Sequence, residues 1–278
     1  MSHNVQKKIA AINDISGFGR CALTVSLPII SHLRVQCCPV PTSILSNHTG
    51  FDSYFFDDYT EKLPAYLAQW KKLNLKFDAI LSGFLGSKEQ IAIVEAFIAE
   101  FRTGRTQVIV DPIMGDHGKI YTTYTEDMCR EMRKLVSLAD IVTPNVTECC
   151  KLTQTPYKQS GWHKSELLAM AEQLCEMGPA KIVITGIVQG EFIANYVYTR
   201  GETPKWFRTH ALGTERAGTG DVFAAVVAAD AVNGIPFDQS VKRASGFVKR
   251  CIAKTVELNI PRTDGVCFEE VLHTLKYR

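Results

Sequence analysis

A turn of small residues, Ala217-Gly218-Thr219-Gly220-Asp221, leads directly into an apolar segment whose composition predicts a helix. The two glycines let the backbone approach a ligand closely, and the helix start directs N–H groups and a positive dipole end at the turn. Asp221 places a carboxylate where an anion would bind, which suits a general base that takes a proton from an attacking hydroxyl. The turn therefore predicts phosphoryl transfer to a hydroxyl. A helix start capped by Thr219 or Asp221 is the structural alternative.

A second set of oxygen ligands follows two predicted buried strands. Asp111 and Asp116 come after the strand at 108–110, and Asn145 and Glu148 come after the strand at 141–143. Carboxylate and amide oxygens are the ligands that hard cations such as Mg²⁺ and K⁺ prefer, and the spacing of Asn145 and Glu148 puts both on one face of a helix. Two ordinary structures explain the same residues without a ligand. These are an Asp-Pro turn with a solvated Asp116, and an Asn145 N-cap with Glu148 in the first helical turn.

The polar segment Asn47-His48-Thr49-Gly50 offers donors and acceptors for a small polar ring, and a plain turn explains it nearly as well. Gly17 and Gly19 lack the third glycine of the dinucleotide-binding fingerprint, so the support for an NAD-dependent oxidoreductase is weak. The chain also has no Gly-x4-Gly-Lys-Ser/Thr loop, which argues against a P-loop enzyme.

Strand-like and helix-like segments alternate through the chain. The strands are short, continuous apolar runs, and the helices between them are amphipathic, which predicts an α/β fold with a mostly parallel sheet covered on both faces, a three-layer α/β/α sandwich. Asp14, Ser82, Asp111, Asn145 and Thr185 follow strand ends, where open α/β sheets bind ligands. No linker or repeat interrupts the pattern, so residues 1–278 are expected to form one domain.

The predicted elements have the following bounds. Strands are expected at 8–13, 35–40, 79–81, 108–110, 141–143, 181–185, 192–198 and 204–209. Helices are expected at 21–32, 63–70, 91–101 and 165–177, and three more begin at Asp221, Phe237 and Phe268. Ser87 and Gln90 have the spacing of a capping box ahead of the helix at 91–101.

Composition and charge narrow the class of protein. The 278 residues are 46% apolar, enough for a substantial core, and their formal net charge is only +2. That balance favours neither a nucleic-acid nor a membrane-surface partner. The first residues lack the apolar region of a signal peptide, and nine cysteines occur without a Cys-x-x-Cys pair. A cytoplasmic protein with reduced thiols and no zinc site is expected.

Taken together, the motifs resemble the ribokinase superfamily and, within it, the pyridoxal (vitamin B6) kinase family. The resemblance extends over nearly the whole chain. The Gly-Thr-Gly-Asp signature is specific to the superfamily, and Ser-Asn-His-Thr-Gly favours the B6 branch. In order along the chain, the motifs are Ser46-Asn47-His48-Thr49-Gly50, Leu81-Ser82-Gly83-Phe84-Leu85-Gly86-Ser87, Asp111-Pro112-Ile113-Met114-Gly115-Asp116, Thr143-Pro144-Asn145 with Glu148, and Gly218-Thr219-Gly220-Asp221.

The resemblance implies transfer of the ATP γ-phosphate to the 5′-hydroxymethyl group of pyridoxal, pyridoxine or pyridoxamine, and it suggests a homodimer. It makes Asp221 the base, with Gly218, Thr219 and Gly220 as the anion hole. For the ligands, it assigns ATP and Mg²⁺ to Asp111, Asn145, Glu148, Thr185 and Gly186, a monovalent cation (K⁺ or Na⁺) to Asp116 and Thr143, and the vitamer to Asp14, Ser43, His48, Thr49 and Phe84.

Two departures from the family pattern concern the substrate pocket. Many pyridoxal kinases have Ser-His where this chain has Asn13-Asp14, and Phe84 stands where relatives often have Tyr. The segment Asp14-Ile15-Ser16-Gly17 resembles the opening of the hydroxymethylpyrimidine kinases of thiamine synthesis, which form the nearest alternative. A non-catalytic vitamer-binding protein is a further alternative, and the intact Asp221, anion hole and Glu148 argue against it.

Overall fold

The computed structural model describes residues 2–213 and 215–277, and its fold is a three-layer α/β/α sandwich. The strands in this part of the chain are β1 (Lys8–Phe18), β2 (Gln36–Asn47), β3 (Phe56–Asp58), β4 (Ala79–Ser82), β5 (Gln107–Val110), β6 (Gly115–Asp116), β7 (Lys119–Ile120), β8 (Ile141–Val142), β9 (Lys181–Gln189), β10 (Phe192–Thr199) and β11 (Lys205–His210). The helices are α1 (Ala22–His32), α2 (Leu63–Lys72), α3 (Lys88–Phe101), α4 (Glu126–Ser137), α5 (Val146–Thr153), α6 (Lys164–Met177), α7 (Thr219–Val232) and α8 (Phe237–Glu257).

The central sheet has the strand order β11-β10-β9-β8-β5-β4-β1-β2-β3. The six strands from β9 to β2 in this order pair in parallel, whereas β3, β10 and β11 pair antiparallel at the two edges. A separate hairpin of β6 and β7 stands beside the sheet. The predicted fold class, an α/β sandwich with a mostly parallel sheet, is confirmed.

Alternate residues of the strands supply two hydrophobic layers. Ile12 and Val110 pack with α2 to α6 on one face, whereas Ile9 and Ile109 pack with α1, α7 and α8 on the other. Helix α7 is apolar on nearly all sides because it lies between the sheet, α1 and α8. The buried face of α7 fixes the position of the turn at its start, where the candidate base lies.

Several predicted bounds are wrong where the sheet continues beyond an apolar run. The strand expected at 8–13 continues to Phe18, because Ile15, Ser16 and Phe18 pair with β2 after a register shift. For the same reason β2 extends to Asn47, so the polar segment at 46–50 begins inside a strand. The helix expected from Phe268 is a short 3₁₀ segment, Glu269–Thr274.

The capping box expected at Ser87 is only half formed. The Ser87 side chain accepts a hydrogen bond from the Gln90 amide at 3.1 Å, as predicted. The Gln90 carboxamide, however, accepts from the amide of Gly86, one residue before the N-cap. All nine cysteines are free thiols. No helix among residues 2–213 and 215–277 combines the length and apolarity that a membrane span requires.

Candidate active site

The predicted site residues gather where the parallel strands end. Asp14 lies on β1, Asp111 directly follows β5, and Thr143 directly follows β8. Thr185 lies on β9 and forms a bridge with Asn145. This edge of the sheet faces the start of α7, so the strands bring together residues from distant parts of the sequence.

The turn at the start of α7 has the geometry expected of an anion site. Gly218 is the N-cap, with φ of 83°, and its carbonyl accepts the Val222 amide at 2.9 Å. A Cβ at Gly218 would lie 2.0 Å from the carbonyl oxygen of Arg20, so only glycine fits. Thr219 directs its hydroxyl back to the Arg216 carbonyl at 3.2 Å. The first N–H groups of the helix therefore stay available to a ligand.

Asp221 lies in the first turn of α7, and two other elements hold its side chain. Its Oδ1 accepts a hydrogen bond from Asn13 Nδ2 at 3.1 Å. Burial raises the pKa of the Asp221 carboxyl, and the hydrogen bonds from the Ala22 amide and from Asn13 oppose that rise. A half-buried carboxylate at a helix start, with its pKa raised, is what a general base for a hydroxyl requires.

Asn13, which donates to Asp221, is followed in the sequence by a second carboxyl group, Asp14, whose backbone amide donates to Asn13 Oδ1. Asp14 is 9% exposed, and Ser16 Oγ donates to its Oδ2 at 3.0 Å. Burial and the neighbouring charge of Asp221 raise the pKa of Asp14 to about 7. Asp14 therefore changes its charge near neutral pH, and its hydrogen-bonding role toward a ligand changes with it.

Asp111 and Glu148 are the two carboxyl groups that the sequence resemblance assigns to ATP and Mg²⁺. Thr143 Oγ1 donates to Asp111 Oδ1 at 2.9 Å. Burial is the main cause that raises the pKa of both carboxyls. At Asp111, the negative charges of Glu148 and Asp221 raise the pKa further. The Glu148 carboxylate accepts from the amides of Met114 and Asn145, at 3.1 and 2.8 Å.

Glu148 also completes a capping box at the start of α5, because Asn145 Oδ1 accepts the Glu148 amide at 3.0 Å. The structural alternative given for this pair is therefore correct, and it does not exclude a ligand role. Asn145 uses its Nδ2 on the Gly115 carbonyl at 2.8 Å, which ties α5 to the β6–β7 hairpin.

The carboxylate cluster consists of Asp14, Asp111, Glu148 and Asp221. Within the described residues, none of the four forms an ion pair with a lysine or arginine. Burial raises the pKa of all four carboxyls, and repulsion between them adds to the rise at Asp14 and Asp111, so a hard cation with oxygen ligands would stabilise their ionised forms. Within this cluster, the carboxylate oxygens of Asp111 and Glu148 are a donor set that fits Mg²⁺.

Thr185 and Gly186 lie inside β9, although the sequence predicts that the strand ends at residue 185. In the ladder with β10, Ile184 pairs with Tyr196 and Ile187 pairs with Ala194, so Thr185 and Gly186 together form an irregularity. Gly186 has φ of 71° and open space around it. The bulge turns this part of β9 toward the strand ends without ending the strand.

The residues expected to bind the substrate fall into two groups. Ser43 and Phe84 lie near Asn13 and Asp14: the Phe84 amide donates to Asn13 Oδ1, and the Ser43 hydroxyl is buried without a partner among the described residues. His48 and Thr49 lie in the segment after β2. Gly50 donates to His48 Nδ1, and His48 Nε2 contacts the Thr263 carbonyl at 2.7 Å. Both ring nitrogens of His48 are thus occupied, and Thr49 is exposed.

Asp116 and Thr143 do not contact each other. Thr143 turns to Asp111, whereas Asp116 is exposed on the hairpin beside His117, whose Nε2 lies 2.7 Å from Glu215 Oε2. The ligand atoms of Asp116, His117 and Glu215 lie within 4.8 Å of one another. This trio belongs to the outer rim of the site.

The structure adds residues to which the sequence patterns give no role. Asn13 links Asp221 to Asp14 and Phe84. Tyr121 lies close to the carboxylate cluster. Burial raises the pKa of its hydroxyl, and the negative charge of Glu148 raises it further. The sequence marks Asn13 by its place beside Asp14 at the end of an apolar run and by the departure of Asn13-Asp14 from the family pattern, and it gives no signal for Tyr121.

The layered sheet, the glycine turn before α7 and the carboxylates at the strand ends define a kinase of the ribokinase-like superfamily. The family model for phosphomethylpyrimidine kinase matches residues 28–265. The chain belongs to the phosphomethylpyrimidine kinase family.

Named relatives in this family include pyridoxal kinases. The pyridoxine/pyridoxal/pyridoxamine kinase of Bordetella avium is 28% identical over 267 residues, which cover 89% of this chain and 86% of that protein. The crystal structure of pyridoxal kinase from Lactobacillus plantarum is 27% identical with a TM-score of 0.88, and the match covers 98% of this chain and 96% of that one. The resemblance to the pyridoxal kinases is confirmed.

A higher identity is found with a Bacteroides thetaiotaomicron protein classed as a phosphomethylpyrimidine kinase. It is 38% identical with a TM-score of 0.96, and the match covers 99% of this chain and 96% of that chain. An orthorhombic crystal form with pyridoxal gives a TM-score of 0.94 at the same identity, and the match covers 97% of this chain and 96% of that chain.

Proposed function

We propose that this protein transfers the γ-phosphate of ATP to the 5′-hydroxymethyl group of pyridoxal, pyridoxine or pyridoxamine. The observation that carries the proposal is the position of Asp221, a half-buried carboxylate at the start of α7 that hydrogen-bonds Asn13, which in turn accepts from the backbone amide of Asp14. The turn supplies a base and an anion site together, and Asp14 supplies a polar anchor for a ring.

In the proposed reaction, Asp221 takes the proton of the substrate's hydroxymethyl group while the oxygen of that group attacks the γ-phosphorus of ATP. The bond between that phosphorus and the bridging oxygen of ADP breaks, and ADP leaves with the electron pair. The amides of the turn at Gly218, Thr219 and Gly220 stabilise the negative charge on the transferred group. Asp111 and Glu148 would hold Mg²⁺, which neutralises charge on the ATP phosphates when bound.

The remaining ligand roles are part of the same proposal. Asn145, Thr185 and Gly186 lie at the strand ends on the Asp111 side, so we assign them to ATP. Asp116 and Thr143 would serve a monovalent cation, with Asp116 reaching it from the hairpin. His48 would shape the substrate loop through its bonds to Gly50 and Thr263. The homodimer and the cytoplasmic location stay predictions.

A hydroxymethylpyrimidine kinase is the second candidate. The family description and the segment Asp14-Ile15-Ser16-Gly17 favour it, whereas the pyridoxal in the crystals of the 38% identical Bacteroides protein favours the B6 ring. Both substrates are flat heteroaromatic rings with a hydroxymethyl group, so the phosphoryl-transfer residues cannot distinguish them. A lost hydrogen bond at the ring edge costs about 1–3 kcal/mol, so Asp14 and Ser43 would decide the choice.

A substrate panel tests the proposal. ADP release is measured with pyridoxal, pyridoxine, pyridoxamine and hydroxymethylpyrimidine, with the Asp221→Asn variant as the inactive control. We expect at least one vitamer to have the highest kcat/KM. Asp14→Ala should lower kcat/KM for that vitamer far more than it changes KM for ATP. A panel in which the pyrimidine exceeds all three vitamers would establish the second candidate, and binding without ADP release would indicate a non-catalytic protein.

A further inference from the structure

The side chain of Asn13 connects three parts of the site. It is 6% exposed. Its Oδ1 accepts hydrogen bonds from the backbone amides of Asp14, at 3.0 Å, and Phe84, at 2.8 Å. Its Nδ2 donates to Asp221 Oδ1 at 3.1 Å. One carboxamide thus links the end of β1 and the loop after β4 to the base on α7.

These bonds determine which way the carboxamide faces. Both acceptor positions of Asn13 Oδ1 are taken by backbone N–H groups, so the NH₂ group must face Asp221. The reverse orientation would set an oxygen against the carboxylate and an NH₂ against two donors. Gly83 packs directly against the carboxamide: a Cβ at that position would lie 2.5 Å from Asn13 Nδ2, so only glycine leaves room for it. The amide is therefore held on three sides.

We propose that Asn13 is a positioning residue for the base: it fixes the rotation of the Asp221 carboxylate and stabilises its ionised form for proton transfer. This inference rests on the proposed function, in which Asp221 accepts the proton of the substrate hydroxyl. Asn13 touches neither reacting atom in that scheme, and it acts through Asp221.

The charges around Asp221 explain why such a donor is needed. Asp14 on β1 and Asp111 after β5 are the carboxyl groups that face it, and their negative charges disfavour a further one. Cys21 before α1 and Tyr121 after β7 are the other titratable groups within its electrostatic range, and both are neutral at ordinary pH because their pKa values are raised. The Ala22 amide, the Asn13 side chain and the backbone amide of Asp221 itself oppose the rise in the Asp221 pKa, and Asn13 is the side chain among them.

Two variants separate the positioning role from packing. Asn13→Ala removes the whole side chain, whereas Asn13→Asp keeps its size and its acceptor oxygen and replaces only the donor that faces Asp221. We expect kcat at pH 7 to fall by about tenfold to a hundredfold in both, the rate equivalent of a hydrogen bond to a charged group. KM for ATP should stay unchanged. Asn233→Ala is the matched control, because its Nδ2 donates to the Leu33 carbonyl at 3.0 Å, at the end of α7 that is remote from the turn at Gly218.

The decisive measurement is the pH profile. The acidic limb of kcat should move to higher pH in Asn13→Ala and further in Asn13→Asp, where a second carboxylate lies beside the base. The same order should appear in the carboxyl ¹³C NMR titration of Asp221 in the unliganded protein, assigned with Asp221→Asn. A loss of activity with unmoved profiles, in variants that melt like the wild type, would overturn the proposal and leave Asn13 a packing residue.

The NMR titration does not require activity. If the wild-type protein phosphorylates none of the four substrates, the proposed function fails, and the titration of Asp221 still decides whether Asn13 controls its ionisation. An Asp221 signal that titrates identically in the wild type and in both Asn13 variants would refute the inference even if the substrate panel succeeds. Should Asn13→Ala not fold, the comparison is made with the isosteric Asn13→Asp.

Discussion

Replacing Asp14 with asparagine should make the unliganded protein more stable, by an amount that grows as the pH rises from about 4 to about 7 and is constant above that range. In the native protein the pKa of Asp14 is about 7, against an ordinary value of 3.8, because the group is buried beside Asp221. The native state therefore binds more protons than the unfolded state between these two pH values, and the stability of the wild type falls as the pH rises through this window. Asparagine has the shape of the protonated acid and no such dependence.

The size of the effect follows from the same two values. At 1.36 kcal/mol for each pKa unit, moving the pKa from 3.8 to about 7 costs the ionised form about 4 kcal/mol. The Ser16 hydroxyl that donates to Asp14 Oδ2 can also donate to the asparagine oxygen, so that bond is retained. Burial of the new NH₂ group costs part of the gain. We expect Asp14→Asn to be more stable than the wild type by about 2–4 kcal/mol above pH 8 and no more stable than the wild type near pH 4.

Denaturant unfolding of the wild type and Asp14→Asn at pH 4, 6, 7 and 8.5 measures this difference directly. Asp52→Asn, a substitution of an exposed acid in the loop before β3, is the control for a change of one charge. A stability difference that is the same at every pH, or an Asp14→Asn variant that is less stable at pH 8.5, would refute the reasoning. The variant should also have a lower kcat/KM for the vitamer, since the carboxylate that destabilises the unliganded protein is the proposed hydrogen-bonding partner of the substrate ring.

Three further outcomes are expected. Asp221→Asn should lower turnover by about 10²–10⁴ while equilibrium titration shows unchanged ATP binding, and near-normal turnover would remove Asp221 from the base role. Glu148→Gln should raise the Mg²⁺ concentration that gives half-maximal activity, because a charged ligand for the metal is lost. Its matched control is Glu166→Gln, the corresponding capping-box residue of α6, and an identical Mg²⁺ titration for both would leave Glu148 a helix cap. Activity should also require a monovalent cation near Asp116 and Thr143, which full activity in a buffer with only a bulky organic cation would contradict.

Apolar runs were sufficient to predict the sheet, because parallel strands buried on both faces consist of such runs. The central strands at 79–81 and 108–110 are confirmed within a residue at each end. The strands fail to match where pairing continues through polar residues, as at β1 and β2, because a ladder between residues 15–18 and 44–47 depends on long-range register. The edge strand β3 and the β6–β7 hairpin are too short to give a periodic signal.

The site was predictable as a set of residues and not as a network. Asp221, Asp111 and Glu148 stand beside strand ends or helix starts, and a one-dimensional pattern marks such places. The orientation of Asn13 depends on two amides that are 1 and 71 positions away from it in the sequence, and the pKa of Asp14 depends on burial by several elements. Their catalytic roles stay predictions until the variants are measured.

Substitutions at the two glycines at the start of α7, Gly218 and Gly220, would have different consequences. Gly218 is pressed against the backbone of Arg20 and has a left-handed φ, so an alanine at 218 would displace the neighbouring loop before any substrate arrives. A Cβ at Gly220 would meet no atom nearer than Asp111 Oδ2, at 4.0 Å, and an alanine there leaves the empty protein intact. Loss of activity in a variant at 218 would therefore reflect a disturbed fold, although a screen for inactive variants would count Gly218 as a catalytic residue. At position 220, in contrast, a methyl group would test the proposed anion site of the turn without displacing the neighbouring backbone.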